Sequence, residues 1–154
     1  MQQRMKNPAQ ILPQIVTGSK HLYPALGDCG VPWLTLHLVH LRVSQINGCS
    51  FCVDLGAQHA KQAGENDQRL IAVAAWREMP CFTQAERAAL ALAEGVTRLA
   101  DREDPVPDAI WENATAHYDE KAMAGLLLYI ALSNFYNRLN VPIRLVAGSP
   151  LPWS

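Results

Sequence analysis

The sequence predicts an all-α, single-domain bundle of about six helices, and three observations carry that reading. Apolar residues recur at helical spacing almost throughout, no alternating run bounded by hairpin turns appears, and strong capping residues punctuate the chain. A chain of 154 residues suits one core, since such chains bury roughly 70% of their unfolded surface. Residues 7–32 hold four of the ten prolines and read as short helical pieces and loop draped over the core. Residues 1–31 are therefore taken as an N-terminal extension, 32–140 as the core, and 141–154 as a C-terminal tail.

Within the core, Leu34, Leu38, Leu41 and Gln45 fall at i, i+4, i+7 and i+11 of a helix over 33–46, which predicts one buried stripe. Asn47-Gly48 breaks that helix. The next begins at Cys49 or Ser50 and stops near Gly64, after Lys61 in its last turn, which makes an αα-hairpin. A third helix lies within 65–79 with Asn66 or Asp67 as cap, and a Thr83 to Glu86 capping box opens the fourth. Residues 101–108 form a charged linker, Pro107 starts a fifth helix, and 119–139 form the last before Pro142. That helix is apolar on nearly every face from Met123 to Tyr136, which means central packing or an interface between subunits. In so small a chain the interface is favoured, and a homo-oligomer is expected.

Composition narrows the function. The chain is 49% hydrophobic and 18% charged with a formal net charge of −1, which points away from disorder, from nucleic acid and from anionic membranes. The first residues lack the apolar stretch of a secretory signal, and the longest apolar run, 122–132, is shorter than the roughly 20 residues that span a bilayer. A cytoplasmic location is expected. There is no glycine-rich dinucleotide fingerprint and no flavin motif, so no bound cofactor is expected.

Four cysteines in such a chain do not suggest a disulfide framework. Cys29 and Cys81, in connections marked by glycine and proline, read as isolated, partly buried thiols. Cys49 and Cys52 are different. A thiol at a helix N-terminus meets unpaired N–H groups and the positive end of the helix dipole, both of which favour thiolate. Three-residue spacing also lets one sulfur capture a sulfenic acid or mixed disulfide formed at the other. A redox pair is favoured, with half of a zinc site or two unreactive thiols as the alternatives. Zinc would require a second pair of ligands, which only His37, His40 and His59 could supply if the hairpin converged.

The histidines bear on this choice. His59 lies two turns beyond Cys52 on nearly the same face, with Gly56 leaving space between them. His37 lies about as far before the Asn-Gly turn, so the hairpin should bring His37 and His59 level, while His40 sits one turn nearer the cysteines. All three are also compatible with polar positions of no catalytic duty. His21 and His117 read as solvated.

Residues 36–78, and within them Arg-x-Ser-x-Ile-Asn-Gly-Cys-x-x-Cys at 42–52, closely resemble the alkyl hydroperoxidase D-like branch of the carboxymuconolactone decarboxylase superfamily. Trp76-Arg77-Glu78 and Asn137-Arg138 extend the resemblance to about 32–139. It implies an all-α fold that assembles as a homo-oligomer, a trimer or hexamer being favoured here, and a peroxidase or disulfide-reductase activity. By the same resemblance Cys52 would be the peroxidatic thiol and Cys49 the more accessible resolving thiol; the decarboxylase branch lacks this pair. Peroxidases of the branch carry a Glu twelve residues before the first cysteine and a His four after the second, linked as a proton relay. Here those positions are His37 and Gly56, and Phe51 stands where some members have another His.

The resulting expectation is a thiol-dependent enzyme with Cys52, Cys49, His37 and His59 as catalytic residues, no metal, a hydroperoxide substrate and a protein dithiol as reductant. His37 and His59 would replace the usual relay through water, or the pair would work slowly without one. Two rival readings are a non-catalytic oligomeric module that binds an apolar ligand or senses oxidants, and a zinc-stabilised helical protein.

Overall fold

The computed structural model describes residues 2–151 and contains nine α-helices, one 3-10 turn and no strand among them. Three short helices, α1 (Pro8–Ile11), α2 (Gln14–Lys20) and α3 (Tyr23–Asp28), make up the proline-rich segment. Pro8 and Pro24 each sit in a first helical turn, where their missing N–H costs nothing. The six expected helices follow as α4 (Trp33–Ile46), α5 (Ser50–Gln62), α6 (Asp67–Ala72), α7 (Gln84–Thr97), α8 (Asp108–Thr115) and α9 (Glu120–Asn140).

The caps act as the sequence predicts. Thr83 and Glu86 exchange hydrogen bonds in a capping box, Asn66 accepts from the Arg69 N–H, and Asp119 accepts from the Ala122 N–H. The helix expected within 65–79 is shorter than that span. After α6 the chain tightens into a 3-10 turn at Val73–Ala75, and the turn delivers Trp76 and Arg77 to Glu94 of α7. Trp76 Nε1 donates to Glu94 Oε1 at 2.9 Å, Arg77 meets Oε2 at 2.7 Å, and Arg42 of α4 meets Oε1 at 2.6 Å. Burial alone would push the Glu94 carboxyl up, but these three donors overcome it and hold it at about 2.

Helix α4 is the hub, packed against α5, α7 and α9. That explains why the single predicted stripe is too narrow. Leu36, Leu38, Val39, Leu41 and Val43 are all buried, whereas Leu34 is 36% exposed and Gln45 only half-buried. Helix α9 is likewise clad from within, by α3, α4, α5, α7 and α8. Its exposed apolar residues reduce to Ala124, Ala131 and Phe135, with Leu127 and Leu128 half-buried. Most of the girth that suggested an interface is thus consumed inside the subunit.

The approach of α9 to the N-terminal segment requires a glycine. A Cβ on Gly125 would collide with the Cβ and, at 2.5 Å, the Sγ of Cys29, which is buried and donates its S–H to the Leu26 carbonyl. Cys29 is a packing thiol, and Cys81 is a half-buried free thiol. Gly125→Ala should destabilise the protein by about 1–3 kcal/mol despite the better helix propensity of alanine. Urea unfolding should show this, with partial recovery in the Gly125→Ala, Cys29→Gly double variant.

Candidate functional site

The three residues Asn47-Gly48-Cys49 end one helix and start the next. Gly48, at φ 66°, takes the left-handed position after α4. Its N–H donates to the Gln45 carbonyl at 3.2 Å, and the Cys49 N–H donates to the Ser44 carbonyl at 3.0 Å, the paired bonds of a Schellman ending. Cys49 is then the N-cap of α5, and its sulfur accepts from the Cys52 N–H at 3.3 Å. That contact favours negative charge on the sulfur.

Cys49 and Cys52 are joined as a disulfide, with Cα atoms 5.2 Å apart. A contact from the far end of the chain completes the pair's surroundings: Asn140, in the last turn of α9, donates from Nδ2 to the Cys52 sulfur at 3.4 Å. Nothing in the local sequence announces it, because 88 residues separate the partners. Both cysteines are buried, Cys49 at 1% and Cys52 at 3% exposure. The family pattern implies a more accessible Cys49, and this chain departs from it: Ile143 and Leu145 of the C-terminal tail pack over the pair.

Cys52, and not Cys49, lines a cavity of about 360 Å³. Its walls come from α4, α5, α9 and the N-terminal segment, which contributes Val16, Ser19, Lys20 and Tyr23. The lining is mainly apolar and aromatic, with Trp33 packed edge-on to Tyr129 at 6.3 Å between ring centroids. Burial raises the phenols of Tyr23 and Tyr129, which therefore stay neutral.

His37 and His59 both line this cavity, with ring centroids 6.4 Å apart, so the hairpin does bring them level. Burial, and then the proximity of His59, lower the pKa of His37. His40 is placed differently. Its Nδ1 is 2.9 Å from Ser133 Oγ of α9, and the ring lies close to the Cys52 backbone. Burial drives its pKa down to about 4, the Cys52 contact opposing the shift and His37 and His59 adding to it. At neutral pH the ring is therefore uncharged, and its Nδ1 is taken up by Ser133.

The space beside Gly56 is not left for water. A Cβ there would lie 2.6 Å from His40 Cδ2 and 3.2 Å from Nε2. An imidazole from α4 thus fills the volume that a side chain of α5 would otherwise occupy, and the glycine in mid-helix was the sequence signal for it. His21 and His117 are exposed and do not line this cavity. Among the described residues no cluster of three or more His, Cys, Asp or Glu is arranged to hold a metal ion, and no helix is long and apolar enough to cross a membrane.

Comparison with known proteins agrees with this architecture. Residues 20–95 match the carboxymuconolactone decarboxylase family. The uncharacterized protein YdfG of Bacillus subtilis is 37% identical over 107 residues, which cover 70% of this chain and 71% of that protein. The uncharacterized protein YnjA of Escherichia coli is 35% identical over 103 residues, covering 67% and 55% respectively. In three dimensions the chain superposes with a TM-score of 0.86 on a crystal structure from Agrobacterium tumefaciens, a protein of unknown function described as a candidate AhpD antioxidant-defence protein. That match is 30% identical and covers 97% of this chain and 100% of the other. The debrominase Bmp8, 20% identical with a TM-score of 0.77 over 89% of this chain and 73% of its own, shares the fold. With its Cys-x-x-Cys pair at the head of α5, the chain belongs to the carboxymuconolactone decarboxylase family, in its alkyl hydroperoxidase D-like branch.

Proposed function

We propose that the protein is a thiol-dependent enzyme that reduces hydroperoxides at Cys52 and is reset through the Cys49–Cys52 disulfide. One observation supports this above the others: of the two cysteines only Cys52 lines the cavity, and the cavity walls also carry the imidazoles of His37 and His59. In this reading the Cys52 thiolate attacks the distal peroxide oxygen, the O–O bond breaks, and the departing alkoxide takes a proton and leaves as alcohol. Cys52 is left as a sulfenic acid. The N-cap thiolate of Cys49 then attacks it, the S–S bond forms, and water leaves. Asn140 stabilises the Cys52 thiolate before attack, and His37 with His59 moves the proton. Electrons return from a protein dithiol. A cytoplasmic homo-oligomer belongs to the same proposal, with the Ala124, Ala131 and Phe135 face of α9 as the surface left for assembly.

Intact-mass measurement tests the chemistry. One equivalent of an organic hydroperoxide should remove two mass units from the reduced protein, add a single oxygen to Cys49→Ser, and leave Cys52→Ser unchanged. If both thiols of the parent stay alkylatable after peroxide, the proposal fails.

The histidines separate by role. A base at His37 works only when neutral, and its pKa is lowered, so the rate should rise with pH along a limb that lies below pH 6.5. His37→Ala should cut the peroxide rate at least about tenfold and abolish that limb. Stopped-flow oxidation from pH 5 to 8 decides it, since unchanged rates across the range would remove His37 from the reaction.

His40 acts on stability instead. The folded protein keeps it neutral down to about pH 4, whereas the unfolded chain protonates it below about 6.5. The unfolded state therefore binds the extra proton, and stability must fall as pH drops from about 6.5 toward 4, by on the order of 2–3 kcal/mol from this group. In urea titrations His40→Gln should lose less stability than the parent over that window. A parallel decline would mean that His40 is not the group responsible.

A further inference from the structure

We propose that the C-terminal tail, residues 141–151, is a displaceable cover over Cys49, and that a protein dithiol reduces the disulfide by reaching Cys49 Sγ on the face the tail now occupies. This rests on the redox reading of the pair. The two sulfurs face different surroundings. Cys52 opens on the cavity, which is walled by the N-terminal segment and takes a small molecule. A cysteine carried on a protein surface cannot follow it there. Cys49 lines no part of that cavity, is 1% exposed, and belongs to the apolar cluster in which Ile143 and Leu145 pack on the pair.

The cover has no regular structure beyond the end of α9. Its hold on α5 includes apolar contact and two long hydrogen bonds, Ser50 Oγ to the Leu145 carbonyl at 3.4 Å and the Gly148 N–H to the Asp54 carboxylate at 3.3 Å. Arg4 adds two bonds to the carbonyls of Pro142 and Ile143 from the equally irregular N-terminus. These bonds lie outside the helical ladders, and the Leu145 N–H adds one to the Asn140 carbonyl at 3.1 Å, so the segment from Pro142 onward can lift without unfolding α5.

Lifting it exposes Cys49 Sγ. The partner's thiolate attacks that sulfur, the S–S bond breaks, and Cys52 leaves as thiolate toward the Asn140 amide that already contacts it. The partner's second thiolate then attacks its own sulfur in the mixed disulfide and releases Cys49, which takes a proton from water. Two electrons enter the pair, and the partner becomes its disulfide.

The test starts from protein oxidised with diamide, so its outcome does not depend on whether the pair reacts with peroxide. Reduction is followed with thioredoxin as the protein dithiol. Leu145→Ser should speed it at least about tenfold and Asp54→Ala by a smaller factor, while peroxide oxidation of the reduced variants stays within about twofold of the parent. A thioredoxin lacking its second cysteine should be trapped on Cys49. Should Leu145→Ser misfold, hydrogen exchange on the unaltered protein serves: amides of residues 143–150 should exchange well before those of α5. Unchanged reduction rates, a mixed disulfide on Cys52, or tail amides as protected as α5 would each overturn the proposal. Loss of peroxide reactivity with normal thioredoxin kinetics would instead overturn only the hydroperoxide reading.

Discussion

The geometry of the site depends on one amide group. Asn47 Nδ2 uses both of its hydrogens on α9, donating to Asn134 Oδ1 at 2.9 Å and to Asn137 Oδ1 at 2.8 Å. Those acceptors are themselves fixed: Asn137 donates to Ser44 Oγ at 3.2 Å, and Asn134 donates to Thr97 Oγ1 at 3.2 Å. The turn between α4 and α5 is therefore pinned to the final helix, and with it the level at which Cys52 meets Asn140. Each such bond contributes only about 1 kcal/mol net, but leaving a buried partner unpaired costs about 1–3. Because the ladder is closed, with no buried side-chain nitrogen or oxygen unsatisfied among the described residues, sliding α9 by one residue would forfeit several of these terms together. Register is what the asparagines supply.

The motif residues divide between scaffold and chemistry. Arg42, Trp76 and Arg77 belong to the family string, yet all three converge on Glu94 and none lines the cavity. Arg69 serves a similar purpose at the other end of the hairpin, between Glu65 and Glu86. The buried carboxylates of the chain are thus committed to arginines, and none lines the cavity, which leaves imidazoles as its proton carriers. Where the resemblance implies a Glu and a His, this chain has His37 and a glycine that makes room for a third imidazole. The polar contacts at the pair come instead from the Asn140 amide on Cys52 and from the Cys52 N–H on Cys49.

What the sequence revealed follows the range of the forces involved. The Asn-Gly-Cys ending, the capping box at Thr83 and the stop at Gly64 involve groups within six residues of one another, so local chemistry decides them and they were legible. The burial of α4 was read too narrowly, because periodicity locates the most apolar stripe of a helix but does not count the neighbours around it. For α9 the same limit hides how much of its girth the other helices cover. Asn140 at the sulfur and Ser133 at His40 were illegible for a different reason, since they are 88 and 93 residues from their partners. An ordinary asparagine or serine in a helix carries no mark of what it will touch.

The disulfide itself argues against a purely structural role. Closing a four-residue loop removes little freedom from the unfolded chain, about 2 kcal/mol, and the turn it spans is already fixed by the Schellman bonds and by Asn47. The bond adds little rigidity where rigidity already exists. What the fold adds instead is a cavity that Cys52 lines together with His37 and His59, while Ile143 and Leu145 of the tail pack on the pair from the other end of the chain. A pair meant only to staple the chain has no need of a cavity at one of its cysteines.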